Sequence, residues 1–143
     1  FIPDEVLLRS LSVKARTGKS VTLIIPRKSN HRLTDLARMN YLRELDEAGV
    51  EILAHEGKML HGKALLIDRR IAMTGSANMD LRSLFVNYEV AAFFYSEPDI
   101  EEMEKWIQSV KKETTRMVKS DLAVRRGFNG IAEDLSRLIA PLL

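Results

Sequence analysis

At 143 residues the chain has the length of one domain, and its 45% hydrophobic content is enough for a core. A formal net charge of +2 creates no global field for polyanions, so attraction to nucleic acid or anionic lipid has to be local. The lack of cysteine excludes disulfides and thiolate metal ligands, and His31, His55 and His61 do not have the paired spacing of a zinc site.

Phe1-Ile2-Pro3 reads as the tail of a strand, and Asp4 as the cap of a helix running to about Arg16, closed by Gly18. Val21 to Ile25 is a nearly continuous apolar strand, the pattern of a strand covered on both faces, and Pro26 ends it. A polar loop from Arg27 to Arg32 leads into a helix over about Leu33 to Ala48, with Leu36, Met39, Leu42 and Leu45 down one face. Gly49 closes that helix, and Glu51 to Leu53 forms a short strand. Leu60 to Ile67 and Ile71 to Thr74 predict a β-hairpin turning at Asp68-Arg69-Arg70. Glu89 to Tyr95 is a further strand. A long helix opens at Pro98 or Asp99 and reaches about Val118; a last one covers about Ile131 to Leu138. Lys119 to Asn129 connects them. Alternating strands and helices predict an α/β layered domain with no internal repeat. No leader is visible, and no apolar run approaches the ~20 residues of a membrane span. Since the chain starts at Phe1 rather than Met, a fragment or processed piece of a longer parent is expected.

Within this framework, HGKALLIDRRIAMTGSAN at 61–78 is the most informative stretch. It sets His61, Lys63, Asp68, Gly75, Ser76 and Asn78 at fixed offsets. An imidazole, an ammonium, a hydroxyl and an amide in one window suit attack on a phosphodiester: one group bonds to phosphorus and the others hold its oxygens. On a strand, residues two apart share a face with Cα atoms roughly 6.5 Å apart, so His61 and Lys63 are expected to look into one site. Imidazole is a fair nucleophile when one nitrogen is unprotonated, and Lys63 would hold a phosphate oxygen as a point charge. Gly75 permits close backbone approach or positive φ, and Ser76 and Asn78 follow as phosphate donors. A helical turn from Met79 to Ser83 is expected to add free backbone N–H groups. Asp68 lies seven residues after His61, on the opposite face of a straight strand, which predicts a structural role in the hairpin turn or an ion pair. Thr17-Gly18-Lys19-Ser20 is not a P-loop, because Val13 stands where the earlier glycine is required.

The 61–78 window resembles the HKD signature of the phospholipase D superfamily at every position. FIPDEVLLRSL, VTLIIPRKSNHRLTDLARMNYLRELDEAGVEI and RSLFVNYEVAAFFY are similar to the second half of bacterial cardiolipin synthases, and the resemblance runs to the terminal EDLSRLIAPLL. It implies a phospholipase D-like layered sandwich over 1–143, a mixed β-sheet flanked by α-helices. It further implies that Glu89, in Asn87-Tyr88-Glu89-Val90, orients the catalytic histidine by accepting its Nδ1 proton. Catalytic roles thus fall to His61, Lys63 and Glu89, phosphate binding to Lys63, Ser76 and Asn78, and structural motif positions to Asp68 and Gly75. Arg27, Lys28, His31 and Arg32 form a basic loop that either binds a headgroup or is simply solvated; Arg82 is a similar candidate.

The superfamily's reaction needs two proton-handling groups, one histidine from each of two motif copies. This sequence carries one copy, since neither His31 nor His55 has a lysine two residues on. The second half is expected from the parent's N-terminal part or from a homodimer. The implied activity is transfer of a phosphatidyl group between phospholipids, as in cardiolipin synthesis, through a phosphohistidine, with no metal and no cofactor. The parent is expected at the bacterial cell membrane, with the isolated fragment soluble. Two alternatives stand beside it: a homodimeric single-motif phosphodiesterase or endonuclease, the reading in which nucleic acid is a partner, and a catalytically idle half serving dimerisation or membrane docking.

Overall fold

Asp4 starts the first helix of the computed structural model, which describes residues 1–28, 32–57 and 60–123, with the backbone alone at 32–34. Its carboxylate accepts from the Val6 and Leu7 N–H groups, both at 3.2 Å, and α1 runs Glu5–Arg16. Gly18 at φ +83° carries the chain away from α1. The second helix, α2 (Arg32–Ala48), ends the same way at Gly49, φ +96°. There Gly49 N–H reaches Asp46 and Val50 N–H reaches Leu45, both at 2.9 Å, so two terminal carbonyls are satisfied by a left-handed residue that only glycine adopts without strain.

Strand β1 (Thr22–Pro26) precedes α2, and β2 (Glu51–His55) follows it and pairs parallel to β1. The order of this first sheet is β1-β2-β6, with β6 (Thr114–Arg116) antiparallel to β2. The two-sided burial anticipated for β1 belongs instead to β2. Ile52, Leu53, Ala54 and His55 are all buried, whereas β1 is an edge strand with only Ile25 buried. Leu8, Ile25, Leu42, Leu45, Val50, Ile52, Ala54, Met117 and Leu122 form the core between this sheet and its helices. Leu42, Leu45 and Ile52 are the largest fully buried side chains, each stabilising the fold by about 1.5–3 kcal/mol.

A second sheet holds the motif. It is an antiparallel meander of β3 (Ala64–Ile67), β4 (Ile71–Gly75) and β5 (Ala91–Phe94). Asp68 and Arg69 turn β3 into β4 at φ +50° and +53°, and Arg70 N–H donates to the Ile67 carbonyl at 2.9 Å. That double left-handed turn matches strand twist, and aspartate tolerates it better than most residues. Between β4 and β5 lies the short α3 (Leu81–Phe85), capped by Asp80. The N-terminal segment reaches this region: Ile2 N–H donates to the Met79 carbonyl at 2.9 Å, and Ile2 bridges Asp80 in parallel.

Helix α4 (Glu97–Lys111) packs against β2, β3 and β4, so it spans both sheets. It is shorter than anticipated from sequence. The chain leaves it after Lys111 and forms β6, then α5 (Lys119–Leu122), where one helix to Val118 and a connection were expected. Thr114 and Thr115 are β-branched, and pairing with β2 decides their state over the helical run before them. The helix expected at Ile131 to Leu138 and the tail beyond it lie outside the described residues.

Candidate active site

Strand β3 starts at Ala64, so the expected strand from Leu60 is shorter, and His61, Gly62 and Lys63 precede it as irregular backbone. The segment is tied down from β4. The Lys63 carbonyl accepts from Thr74 Oγ1 at 2.9 Å and from the Gly75 N–H at 3.3 Å. The two motif side chains still meet. Lys63 Nζ lies 3.1 Å from Nδ1 and 3.0 Å from Nε2 of His61, and it donates to the His61 carbonyl at 3.0 Å. A point equally near both ring nitrogens stands over the imidazole face, so the ammonium–ring contact is closer to cation–π than to an in-plane hydrogen bond. It leaves the in-plane lone-pair directions without a protein partner among the described residues. His61 itself is exposed.

Gly75 closes β4 against β5. A Cβ there would stand 2.3 Å from the Val90 carbonyl oxygen and 2.9 Å from Ala91 Cα, so close backbone approach, and not positive φ, requires the glycine. Ser76 follows, its N–H on the Val90 carbonyl at 2.9 Å and its Oγ accepting from the Val90 N–H at 3.0 Å. The same hydroxyl donates to Glu89 Oε2. Asn87 Nδ2 reaches Glu89 Oε1 at 3.4 Å. The Ser76 hydroxyl holds the Glu89 carboxyl below its ordinary value; Ser83, Asn87 and the charge of Lys63 add to this, and partial burial opposes it. Glu89 precedes β5 rather than starting it, since that strand covers Ala91–Phe94. Its side-chain partners are Ser76, Asn87 and Ser83, and His61 is not one of them among the described residues.

Asn78 is exposed, and its side chain has no protein partner among the described residues. The backbone donors expected after it are fewer, because the Ser83 N–H is taken by Asp80 at 2.8 Å. Asp68 sits at the far end of the hairpin, in the turn. Of the basic loop, Arg27 is engaged elsewhere. Its Nε lies 2.6 Å from Glu56 and its Nη1 3.8 Å from Asp121, and its carbonyl accepts from Arg38 at 2.7 Å. Lys28 is exposed; His31 and the Arg32 side chain lie outside the described residues. Arg82 is exposed on α3 with no side-chain partner among the described residues. His55 is buried at the end of β2, its Nε2 3.4 Å from Glu113, which sets it apart from the motif. Among the described residues no three His, Asp or Glu side chains gather at metal-binding range.

Thr74 and Asn87 are the site residues that sequence reasoning missed. Asn87 is two residues from Glu89, a spacing at which an amide commonly reaches a neighbouring acceptor, so it was findable. Thr74 became visible only through the register that places it opposite Ala64.

An α/β unit with one His-x-Lys motif beside an antiparallel meander is a phospholipase D-like fold. The fold superposes on Nuc, a phospholipase D family member from Salmonella typhimurium, with a TM-score of 0.67 at 18% identity, covering 81% of this chain and 76% of that one. The chain belongs to the cardiolipin synthase, phospholipase D-like domain family, whose profile matches residues 1–111. It is 37% identical over 145 residues to a cardiolipin synthase of Geobacillus kaustophilus and 38% identical over 146 residues to cardiolipin synthase 2 of Bacillus cereus. Each alignment covers the whole of this chain but 28% of the relative, so the chain spans under a third of their length.

Proposed function

We propose that this chain is one catalytic half of a phosphatidyltransferase that joins phospholipids, with His61 as a phosphorus-bonding or proton-transferring imidazole. The contact of Lys63 with the His61 ring, at the end of a strand pinned to Gly75, carries the reading. In the nucleophilic role, an in-plane nitrogen of His61 bonds to the phosphorus of a donor phospholipid. The leaving alkoxide takes a proton from an acid on the second half, giving a phosphohistidine and a free alcohol. A hydroxyl of the second phospholipid, phosphatidylglycerol in the cardiolipin case, then attacks phosphorus as the same group removes its proton. His61 leaves, and the chain returns to its starting state.

Incoming phosphate would draw Lys63 off the ring, so that the ammonium meets the charge gained by the equatorial oxygens. Asn78 has free amide donors for the same oxygens. Ser76 is already shared between Glu89 and Val90, and it serves phosphate only by releasing Glu89. In that event the freed carboxylate becomes available to the imidazole, as the resemblance implies. Exposed Phe85, Val86, Tyr88 and Val90 flank Glu89, a patch that suits cover by the second motif-bearing half. Among the described residues no helix is long and apolar enough to cross a membrane. Placement of the parent at the bacterial membrane follows from its lipid substrates.

In the full-length protein, His61→Ala should abolish transfer between phospholipids and hydrolysis of a soluble phosphodiester. Rapid acid-free quenching of the wild type should trap a phosphorylated histidine on one of the two halves. Near-wild-type turnover by His61→Ala overturns the reading and favours the idle-half alternative.

A further inference from the structure

Gly62 stands between the two motif residues, and its backbone is not bare. A Cβ built on it would lie 2.8 Å from Cη2 and 3.0 Å from Cζ2 of Trp106. The benzo edge of the indole therefore occupies the space a side chain would take at this position. Trp106 comes from α4, a helix anchored at several points along its length. Ser96 caps its start, and Ile100 is buried. Glu104 binds Arg69 of the β3–β4 turn at 2.8 Å, and Lys111 approaches Glu51 of β2 at 3.7 Å. The helix is thus fixed to both sheets, and the indole is its contact with Gly62.

The segment needs such a contact. His61 and Gly62 lie outside the strand, and the cross-strand bonds begin at the Lys63 carbonyl. An exposed imidazole on irregular backbone would sample several directions, while in-line attack at phosphorus admits few. We propose that Trp106 is a positioning residue: its indole, pressed on Gly62, holds the His61–Lys63 backbone so that imidazole and ammonium face one phosphate. The inference rests on His61 acting at phosphorus as described above. Trp106 touches no reacting atom in this role. About two-fifths of its surface stays exposed, so its loss leaves the core intact.

The test uses the full-length protein and bis(p-nitrophenyl) phosphate, with three substitutions chosen for reach. Trp106→Ala and Trp106→Leu both fall short of Gly62, whereas the phenol of Trp106→Tyr extends about as far as the benzo edge. Leucine preserves helix propensity and apolar bulk, so it remains informative should the alanine variant fold poorly. Alanine and leucine should each lower kcat about ten-fold with KM changed less than about two-fold, and tyrosine should restore kcat to within about three-fold of wild type. Wild-type kcat in the leucine variant overturns the proposal. So does an equal loss in leucine and tyrosine variants that tracks a fall in Tm, because bulk packing would then be the whole effect. His61→Ala is run alongside. If it stays active, the reading of the site fails; if it is dead while Trp106→Leu is unimpaired, only the role of Trp106 fails.

Discussion

Apart from Asn78, the polar side chains of the site are held by near neighbours. Lys63 rests on His61, Ser76 serves Glu89 and Val90, and Asn87 braces Glu89 from two residues away. The residue types and spacing of His61, Lys63, Ser76 and Asn78 were legible because they are the set that the proposed phosphoryl chemistry would use. The partner of Glu89 was not, since a carboxylate satisfies whichever donor the fold brings nearest. Glu89 also allows a pH prediction. Its folded pKa is lowered, first by the Ser76 hydroxyl. A depressed carboxylate adds stability that is fully present above the unfolded value of about 4.3 and is lost as pH falls through the lower folded value. The Tm gap between wild type and Glu89→Gln should hold constant at neutral pH and close only below about pH 4. Thermal melts across that range check it, and a gap that closes near neutrality would count against the assignment.

At the scale of elements, the β3-β4-β5 meander is the platform and Gly75 its tightest point. The obstruction at Gly75 is backbone, the Val90 carbonyl and Ala91 Cα, and neither can swing away as a side chain would. Gly75→Ala should therefore part β4 from β5 and shift Ser76, costing about 1–3 kcal/mol of stability. Turnover should fall well beyond what the lost folded fraction explains. Denaturant unfolding together with kcat on the folded protein separates the two effects; full activity at unchanged stability would refute the close approach. The helix caps Asp4, Gly18 and Gly49 were readable because caps and left-handed exits are local chemistry. Strand β6 was hidden because it is three residues long and depends on its pairing with β2.

At the scale of the whole molecule, the described domain offers one motif imidazole, His61, where the proposed reaction needs two proton-handling groups. Its exposed apolar patches at Phe85 to Val90 and at Leu65, Ile67 and Phe93 lie on the motif-bearing half of the fold. The 143-residue chain alone should hydrolyse a soluble phosphodiester about 10²- to 10⁴-fold more slowly than the full-length protein, the usual worth of a general acid–base. Kinetics across a range of protein concentrations give the check. Robust turnover that rises with dimer fraction would favour the homodimeric single-motif reading instead.

The motif, the alternation of strands and helices and the ends of α1 and α2 were determined by the sequence itself, because residue chemistry at short range suffices for each. Register, the division into two sheets and the packing of distant side chains were decided only by the tertiary structure. Trp106 is 44 residues from Gly62 in sequence and touches it in the fold. No periodicity encodes such a contact; it exists because α4 docks on both sheets at once. The same holds for the Lys63 carbonyl, whose partners Thr74 and Gly75 follow from the β3–β4 register. Short-range chemistry can name the candidate groups, but their mutual placement depends on burial and pairing across the whole chain.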